Sequence, residues 1–270
     1  MHKVLILGLF YARIAQEQGV SVSQKLVFIT AYVDKKLYHK CVADNPFIRD
    51  NPNIENVGYD NTVDNKNISI RYNEFLNSWS YDNEAWFVFC HSDWEVLEDL
   101  TLSLANLDKK SIYGPIGAIV RSRRNKLINE YRGYCQEMSR DGSVLRTLNC
   151  AKQTTGMLVD TLDAQCMIVH SSLVKKHHLR FDESFEFDLY CEDFSARAKN
   201  SYKIPTRILR VECRHNNIIY DMKGRLGYYH QLWLFNHKHP GITLGSTVGV
   251  LGMIKKPVEH LFPNFTEIDR

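Results

Sequence analysis

The 270-residue chain has no C-x-x-C pair, no internal repeat, no low-complexity segment and almost no net charge. It also has no apolar run near the ~18 residues that a membrane-spanning helix requires. Each absence removes a class of protein. The seven cysteines (Cys41, Cys90, Cys135, Cys150, Cys166, Cys191 and Cys213) are odd in number and scattered. That pattern excludes a disulfide framework or a zinc knuckle and suits free thiols in a reducing cytoplasm. Lys plus Arg is 34 and Asp plus Glu is 31, a formal net charge of +3. A dedicated nucleic-acid binder presents a strongly basic face, so no nucleic-acid partner is expected. The start, Met1-His2-Lys3 followed by an apolar stretch to Phe10, is too short in its apolar part and too poor in cleavage residues for an export signal. Residues 1–23 are expected to pack against the rest.

What the chain does have is a core. Hydrophobic residues make up 44% of it, enough for one large domain or one domain with an extension. The organising stretch is Trp86-Phe87-Val88-Phe89-Cys90, which breaks at once into His91-Ser92-Asp93. A short, wholly apolar run indicates a strand covered on both faces. Polar residues just past its C-terminal end stand where open α/β sheets hold their ligands. His91 and Asp93 are two apart and share one side of an extended backbone, so together they suit a metal ion or its hydration shell. The competing reading is a helix N-cap, because residues 95–107 look helical.

Before this stretch, residues 25–33 and 54–59 read as strands. Ile68, Tyr72, Phe75, Leu76 and Trp79 fall on one face of a helix. The first 110 residues thus alternate strand and helix three times, which predicts a mostly parallel α/β sheet with helices on both faces. Residues 113–120 read as a turn into a strand, and the basic segment 121–126 as a solvated loop or a flap that meets phosphates. Residues 132–149 carry no clear period. Cys166-Met167-Ile168-Val169 is another apolar run, with Ser171 or Ser172 as a helix cap. Tyr190-Cys191-Glu192-Asp193 opens a helix, and 208–213 reads as a strand ended by Arg214-His215. The aromatic and histidine-rich region 228–239 reads as core packing or a lid. With no cysteine nearby, its histidines do not indicate zinc.

Taken in order, the motifs are His91-Ser92-Asp93, then Val159-Asp160-Thr161-Leu162-Asp163, then Phe181-Asp182-Glu183, then Tyr190-Cys191-Glu192-Asp193 with Arg197, then His215. This series resembles the nucleotide-sugar glycosyltransferases of the GT-A fold. It is most similar to the bacterial family-2-like group in which H-x-D replaces D-x-D. The resemblance covers roughly residues 24–218, leaving 1–23 as a packing segment and 219–270 as an aromatic, basic extension. It implies a GT-A, Rossmann-like, mixed and mostly parallel sheet flanked by helices.

The resemblance also implies roles. Asp93 would coordinate Mn²⁺ or Mg²⁺ on a donor diphosphate, with His91 where the first acid stands and His215 completing the metal site. Asp193 would be the catalytic base of an inverting transfer, with Glu192 its competitor. Asp163 would meet a sugar, Asp60 the nucleobase or ribose, and Thr30 and Tyr32 would end the first strand beside that pocket. The implied partners are a nucleoside-diphosphate sugar, a UDP-sugar foremost, and a glycan or lipid-linked glycan acceptor. The implied setting is cytoplasmic polysaccharide synthesis, with peripheral contact at the inner face of the membrane. The chemistry is coherent: a divalent cation offsets charge on the departing diphosphate, and a carboxylate takes the acceptor's proton. The alternative is a non-catalytic nucleotide- or glycan-binding protein on the same fold. A nucleotidyltransferase would open with a Gly-rich basic loop, and residues 25–34 contain none.

Overall fold

The structure is a computed structural model that describes residues 24–123, 126–149, 155–216, 223–247 and 249–252. The segment 1–23 and the tail beyond 252 lie outside the described residues.

Strands β1 (Lys25–Tyr32), β2 (Ile54–Asp60) and β3 (Ala85–Cys90) pair in parallel, with β1 in the middle. Between them run α1 (Lys35–Tyr38) with a π turn at His39–Ala43, α2 (Pro46–Arg49) and α3 (Ile68–Ser78). These helices start where a side chain satisfies a free backbone N–H: Asp34, Asn45 and Asn67 accept from Leu37, Phe47 and Ile70. The chain continues through β4 (Trp94–Val96), α4 (Leu100–Leu104), β5 (Ile112–Gly114), β6 (Ile116–Arg123), β7 (Lys126–Met138) and β8 (Val144–Asn149). Then come β9 (Leu158–Val159), β10 (Thr161–Leu162), β11 (Cys166–His170), α5 (Ser171–His177), α6 (Tyr190–Tyr202), β12 (Thr206–Ile208) and β13 (Cys213–His215). The last described elements are α7 (Lys223–Lys238), β14 (Leu244–Ser246) and β15 (Gly249–Leu251).

The main sheet has seven strands in the order β2-β1-β3-β11-β5-β12-β9. Strands β1, β2, β3, β5 and β12 run one way, and β11 and β9 run against them. The fold is therefore α/β with a mixed, mostly parallel sheet, as the alternation predicts. A second sheet, β10-β6-β7-β13-β4 with β8 beside β7, touches it where β6 and β10 meet β9 and β12. The all-apolar sequence of β3 is explained by burial on both sides. Phe87 and Phe89 enter one core with Tyr72 and Phe75 of α3, while Trp86 and Val88 enter the other with Cys41, Val42 and Trp94. The described part of the C-terminal extension belongs to the first core, where Leu232, Phe235, Leu244 and Leu251 are buried.

Several local expectations change. Residues 95–107 are not one helix: Trp94–Val96 is a strand, and only Leu100–Leu104, capped by Asp99, is helical. Trp94 is drawn into the sheet because its ring is wholly buried and its backbone pairs with His215. The strand expected at 208–213 is two strands, β12 ending at Ile208 and β13 starting at Cys213, each in a different sheet. Of the segment 121–126, residues 121–123 end β6 and Lys126 begins β7, while 124 and 125 lie outside the described residues; the unperiodic 132–149 forms the second half of β7 and all of β8. His170, not a serine, caps α5.

Candidate functional site

A cleft of about 720 Å³ opens at the C-terminal ends of β1 and β3, the position where open α/β sheets take ligands. Its lining includes Tyr32, Asp34, Asn61, Lys66, Phe187 and the His91-Ser92-Asp93 segment. Tyr32 stacks flat on Tyr38, with ring centroids 4.2 Å apart and planes 6° apart. The Tyr38 hydroxyl is held by Asn56 at 2.9 Å. This approach requires a glycine at 58, since a Cβ there would lie 2.3 Å from the Tyr38 hydroxyl.

At one end of the cleft, His91, Asp93 and His215 converge, each offering a ligand atom within 4.8 Å of the others. Pairing of β13 with β4 makes this happen. His215 lies opposite Trp94, and the Asp93 carbonyl accepts from the Asn216 backbone N–H at 2.8 Å. His215 Nε2 is 3.3 Å and His91 Nδ1 is 4.0 Å from Asp93 Oδ1.

The two imidazoles differ electrostatically. Burial holds the His91 pKa below its ordinary value, so this ring is neutral at pH 7. At His215 burial acts in the same sense but is outweighed by the bond to Asp93 and its charge, which bring the pKa up to about 9. Asp93 responds in kind: burial would raise its carboxyl, but the His215 bond holds it low.

The tautomer of His91 follows from its neighbour. The Tyr190 hydroxyl donates to the Ala164 carbonyl at 2.9 Å, so its oxygen accepts from His91 Nε2–H at 3.0 Å. Nδ1 then carries the lone pair and faces Asp93. A ligand histidine whose other ring nitrogen donates to a fixed acceptor is the usual arrangement at metal sites. Phe187, 62% exposed, stacks on the outer face of this ring at 5.5 Å. Two imidazoles and one carboxylate suit a divalent cation that keeps other positions for phosphate oxygens and water, with imidazole favouring Mn²⁺ over Mg²⁺.

The other expected residues are not all at the cleft. Thr30 is buried in the sheet, its hydroxyl 3.2 Å from the Cys90 sulfur. Asp60 folds back on its own turn, accepting from the Thr62 N–H and hydroxyl, and it is Asn61 that lines the cleft. Asp163 accepts from the Gln165 N–H, and its charge acts on both His91 and His215. Asp193 is fully buried with both oxygens engaged, one by Arg197 Nε at 2.7 Å and one by His239 Nε2 at 2.8 Å.

Beside it, Glu192 is also buried. Its Oε1 accepts from the Ser246 hydroxyl at 2.7 Å, while Oε2 has no partner among the described residues. Burial pushes the Glu192 carboxyl up to about 8, the Ser246 bond opposes this, and the charge of Asp163 adds to it. Sequence reasoning passed over Tyr190, Asn61, Lys66 and Phe187 as site residues. Tyr190 had one signal, its place directly before the Cys191-Glu192-Asp193 run.

No protein-family model and no curated protein matches the chain. Among solved structures it is similar to S. aureus TarS residues 1–349 in complex with UDP, at 12% identity and a TM-score of 0.47 over 80% of this chain and 65% of that one. The chain thus spans less than two thirds of that structure's length. A second similarity is to a glycosyltransferase involved in the glycosylation of the major capsid of PBCV-1, at 10% identity and a TM-score of 0.33, covering 77% of this chain and 99% of that chain. Similarity at this level bears on no residue role. Among the described residues, no helix is long and apolar enough to cross a membrane.

Proposed function

We propose that this chain is a metal-dependent glycosyltransferase moving a sugar from a nucleoside-diphosphate donor, a UDP-sugar foremost, to a hydroxyl of a glycan or lipid-linked glycan. The observation that carries the reading is the convergence of His91, Asp93 and His215, two of which line a cleft of about 720 Å³. In this reading Tyr32, backed by Tyr38, offers a flat face to the nucleobase, and Asn61 and Lys66 supply polar contacts along the same wall. His91, Asp93 and His215 would hold Mn²⁺ or Mg²⁺, which when bound supplies a Lewis acid for the donor diphosphate. Tyr190 keeps the His91 ring in the tautomer that presents Nδ1, and Phe187 restricts water on its open side. The acceptor's proton goes to one of the acids at the start of α6, and inversion at the anomeric carbon follows from attack opposite the departing diphosphate.

The test is thermal melting with UDP and UDP-sugars, with and without Mn²⁺, followed by release of UDP from the donor in water. A ligand at ~100 Kd adds about 2.7 kcal/mol of stability. The reading expects stabilisation by UDP that depends on Mn²⁺ and slow release of UDP from at least one sugar nucleotide. Stabilisation without any release would favour the non-catalytic binding protein. No stabilisation with any nucleotide and metal would remove the proposal.

A further inference from the structure

Phe187 stands over His91 on a segment that is bound from two sides. From α3, the Asn73 side chain accepts from the Phe181 N–H and donates to the Phe181 carbonyl, each at 2.9 Å, and Ser69 donates to the Phe185 carbonyl at 2.7 Å. From α7, Lys238 donates to Asp182 at 2.6 Å and to the Ser184 hydroxyl at 2.7 Å. Phe181 and Phe185 are buried, and so is Leu189, which sits at φ 59° just before α6. Between Phe185 and Leu189 the chain bows outward, and Glu186 and Phe187 are exposed.

The bow is clamped at Glu186. Its carbonyl accepts from the Ile68 N–H at 3.1 Å, and its N–H donates to Gln231 Oε1 at 3.2 Å. Ile68 opens α3, where a backbone N–H has no partner inside the helix, so that donor is free for the bond. Gln231 lies midway along α7 and is only 4% exposed. A glutamine so deeply buried needs a partner for its amide. An N–H only donates, so it is the oxygen of Gln231 that faces Glu186. The next residue is Phe187, whose ring stacks on the His91 ring at 5.5 Å and 18°. His91 is thus held at its edge by Tyr190 and on its face by Phe187. Phe187 itself is 62% exposed, so little burial of its own keeps it there.

We propose that Gln231 is a positioning residue for the metal end of the cleft: by fixing the Glu186 backbone it keeps Phe187 stacked on His91, so that α7 of the C-terminal extension governs how well His91 is aimed at a divalent cation. The inference rests on the metal-dependent reading and deepens it. An imidazole free to turn about its side-chain bonds loses that freedom when a cation arrives, and the loss weakens binding. A ring already held in place avoids it. Without the Gln231 oxygen, the Glu186 N–H has to find another acceptor, because leaving it unpaired is costly. Water outside the bow is the acceptor within reach of an exposed segment. The backbone then turns outward, and Phe187 leaves the His91 ring with it. Asn73, Ser69 and Lys238 hold the residues before the bow and do not replace this bond.

The experiment uses the full chain and two readouts. The first is the NMR signals of the His91 ring protons in metal-free protein, identified by their absence from the His91→Gln spectrum. The second is Mn²⁺ affinity by calorimetry in the presence of UDP. Gln231→Leu, which keeps the site apolar and removes the acceptor, should move the His91 signals toward their positions in Phe187→Ala. It should also weaken Mn²⁺ binding about 3–10-fold, the size of one aromatic contact. Gln231→Glu, which keeps an acceptor oxygen, should restore both. Gln231→Leu added to Phe187→Ala should bring no further loss, because the ring it positions is already gone. That cycle decides the matter even if Gln231→Glu does not fold. Unmoved His91 signals in Gln231→Leu, or a loss of Mn²⁺ affinity of the same size with and without Phe187, would overturn the inference and leave the transferase reading intact. Wild-type protein that binds neither Mn²⁺ nor UDP would remove that reading, and this inference with it.

Discussion

Replacing Glu192 by Gln should make the protein more stable, and only above mildly acidic pH. The carboxyl has an ordinary value of 4.5 and is pushed up to about 8 by burial in the fold. Between those two values the unfolded chain gives up a proton that the folded chain keeps. Folded stability therefore falls as pH rises through that window. Each pH unit is worth ~1.4 kcal/mol, so the penalty is about 3 kcal/mol at pH 7 and about 5 kcal/mol above pH 8. Gln does not ionise, retains an acceptor for Ser246, and places an amide N–H where the oxygen without a partner among the described residues stood. For a domain of this size, 1 kcal/mol moves the melting temperature by ~2–4 °C. The variant should match wild type at pH 4.5 and melt roughly 6–12 °C higher at pH 7. Melting curves at pH 4.5, 6, 7 and 8.5 read this directly. An equal difference at all four values, or a variant less stable at pH 8.5, would show that the site is not a protonated, unpaired acid.

Four other outcomes are expected. Tyr190→Phe removes the acceptor that fixes the His91 ring and should weaken Mn²⁺ binding ~10–100-fold by titration, with little change in fold. Asp93→Ala should abolish the Mn²⁺-dependent part of UDP binding in calorimetry, since Asp93 is the only carboxylate of the trio. In metal-free protein, His215 has its pKa raised to about 9, so its pairing with Asp93 stabilises fully below pH ~6.5 and is lost as pH rises through 9. His215→Asn should therefore destabilise at pH 6 by about 3 kcal/mol and much less at pH 10, as urea titrations would record. Gly58→Ala would press a Cβ to 2.3 Å from the Tyr38 hydroxyl, costing about 1–3 kcal/mol and weakening UDP binding through the Tyr32 stack.

Much of the fold was legible because it rests on local pattern. The apolar run 86–90 had to be a strand covered on both sides, and the spacing of Ile68, Tyr72, Phe75 and Leu76 had to be a helix. The break at His91-Ser92-Asp93 marked the working end of the sheet for the same reason. Errors arose where a partner distant in sequence decided the backbone. Residues 95 and 96 read as the start of a helix and belong to the strand Trp94–Val96, because 213–215 pairs with it. The polar stretch 132–149 carried no period, and its strands are placed by pairing with β6, with β13 and with each other.

The sequence by itself determined the α/β class and the place of His91 and Asp93 just past the end of β3, which follow from hydrophobic period and from the polar residues that interrupt it. That His215 joins them was implied only by the resemblance of the motif order to the GT-A glycosyltransferases. Only the tertiary structure decided which ring nitrogen of His91 faces Asp93, that Thr30 is buried in the sheet, and that Asp193 has both oxygens engaged while one oxygen of Glu192 has no partner among the described residues. Such matters depend on hydrogen-bond partners up to about a hundred positions away, such as Tyr190 for His91 and His239 for Asp193, and no local pattern of residues encodes them.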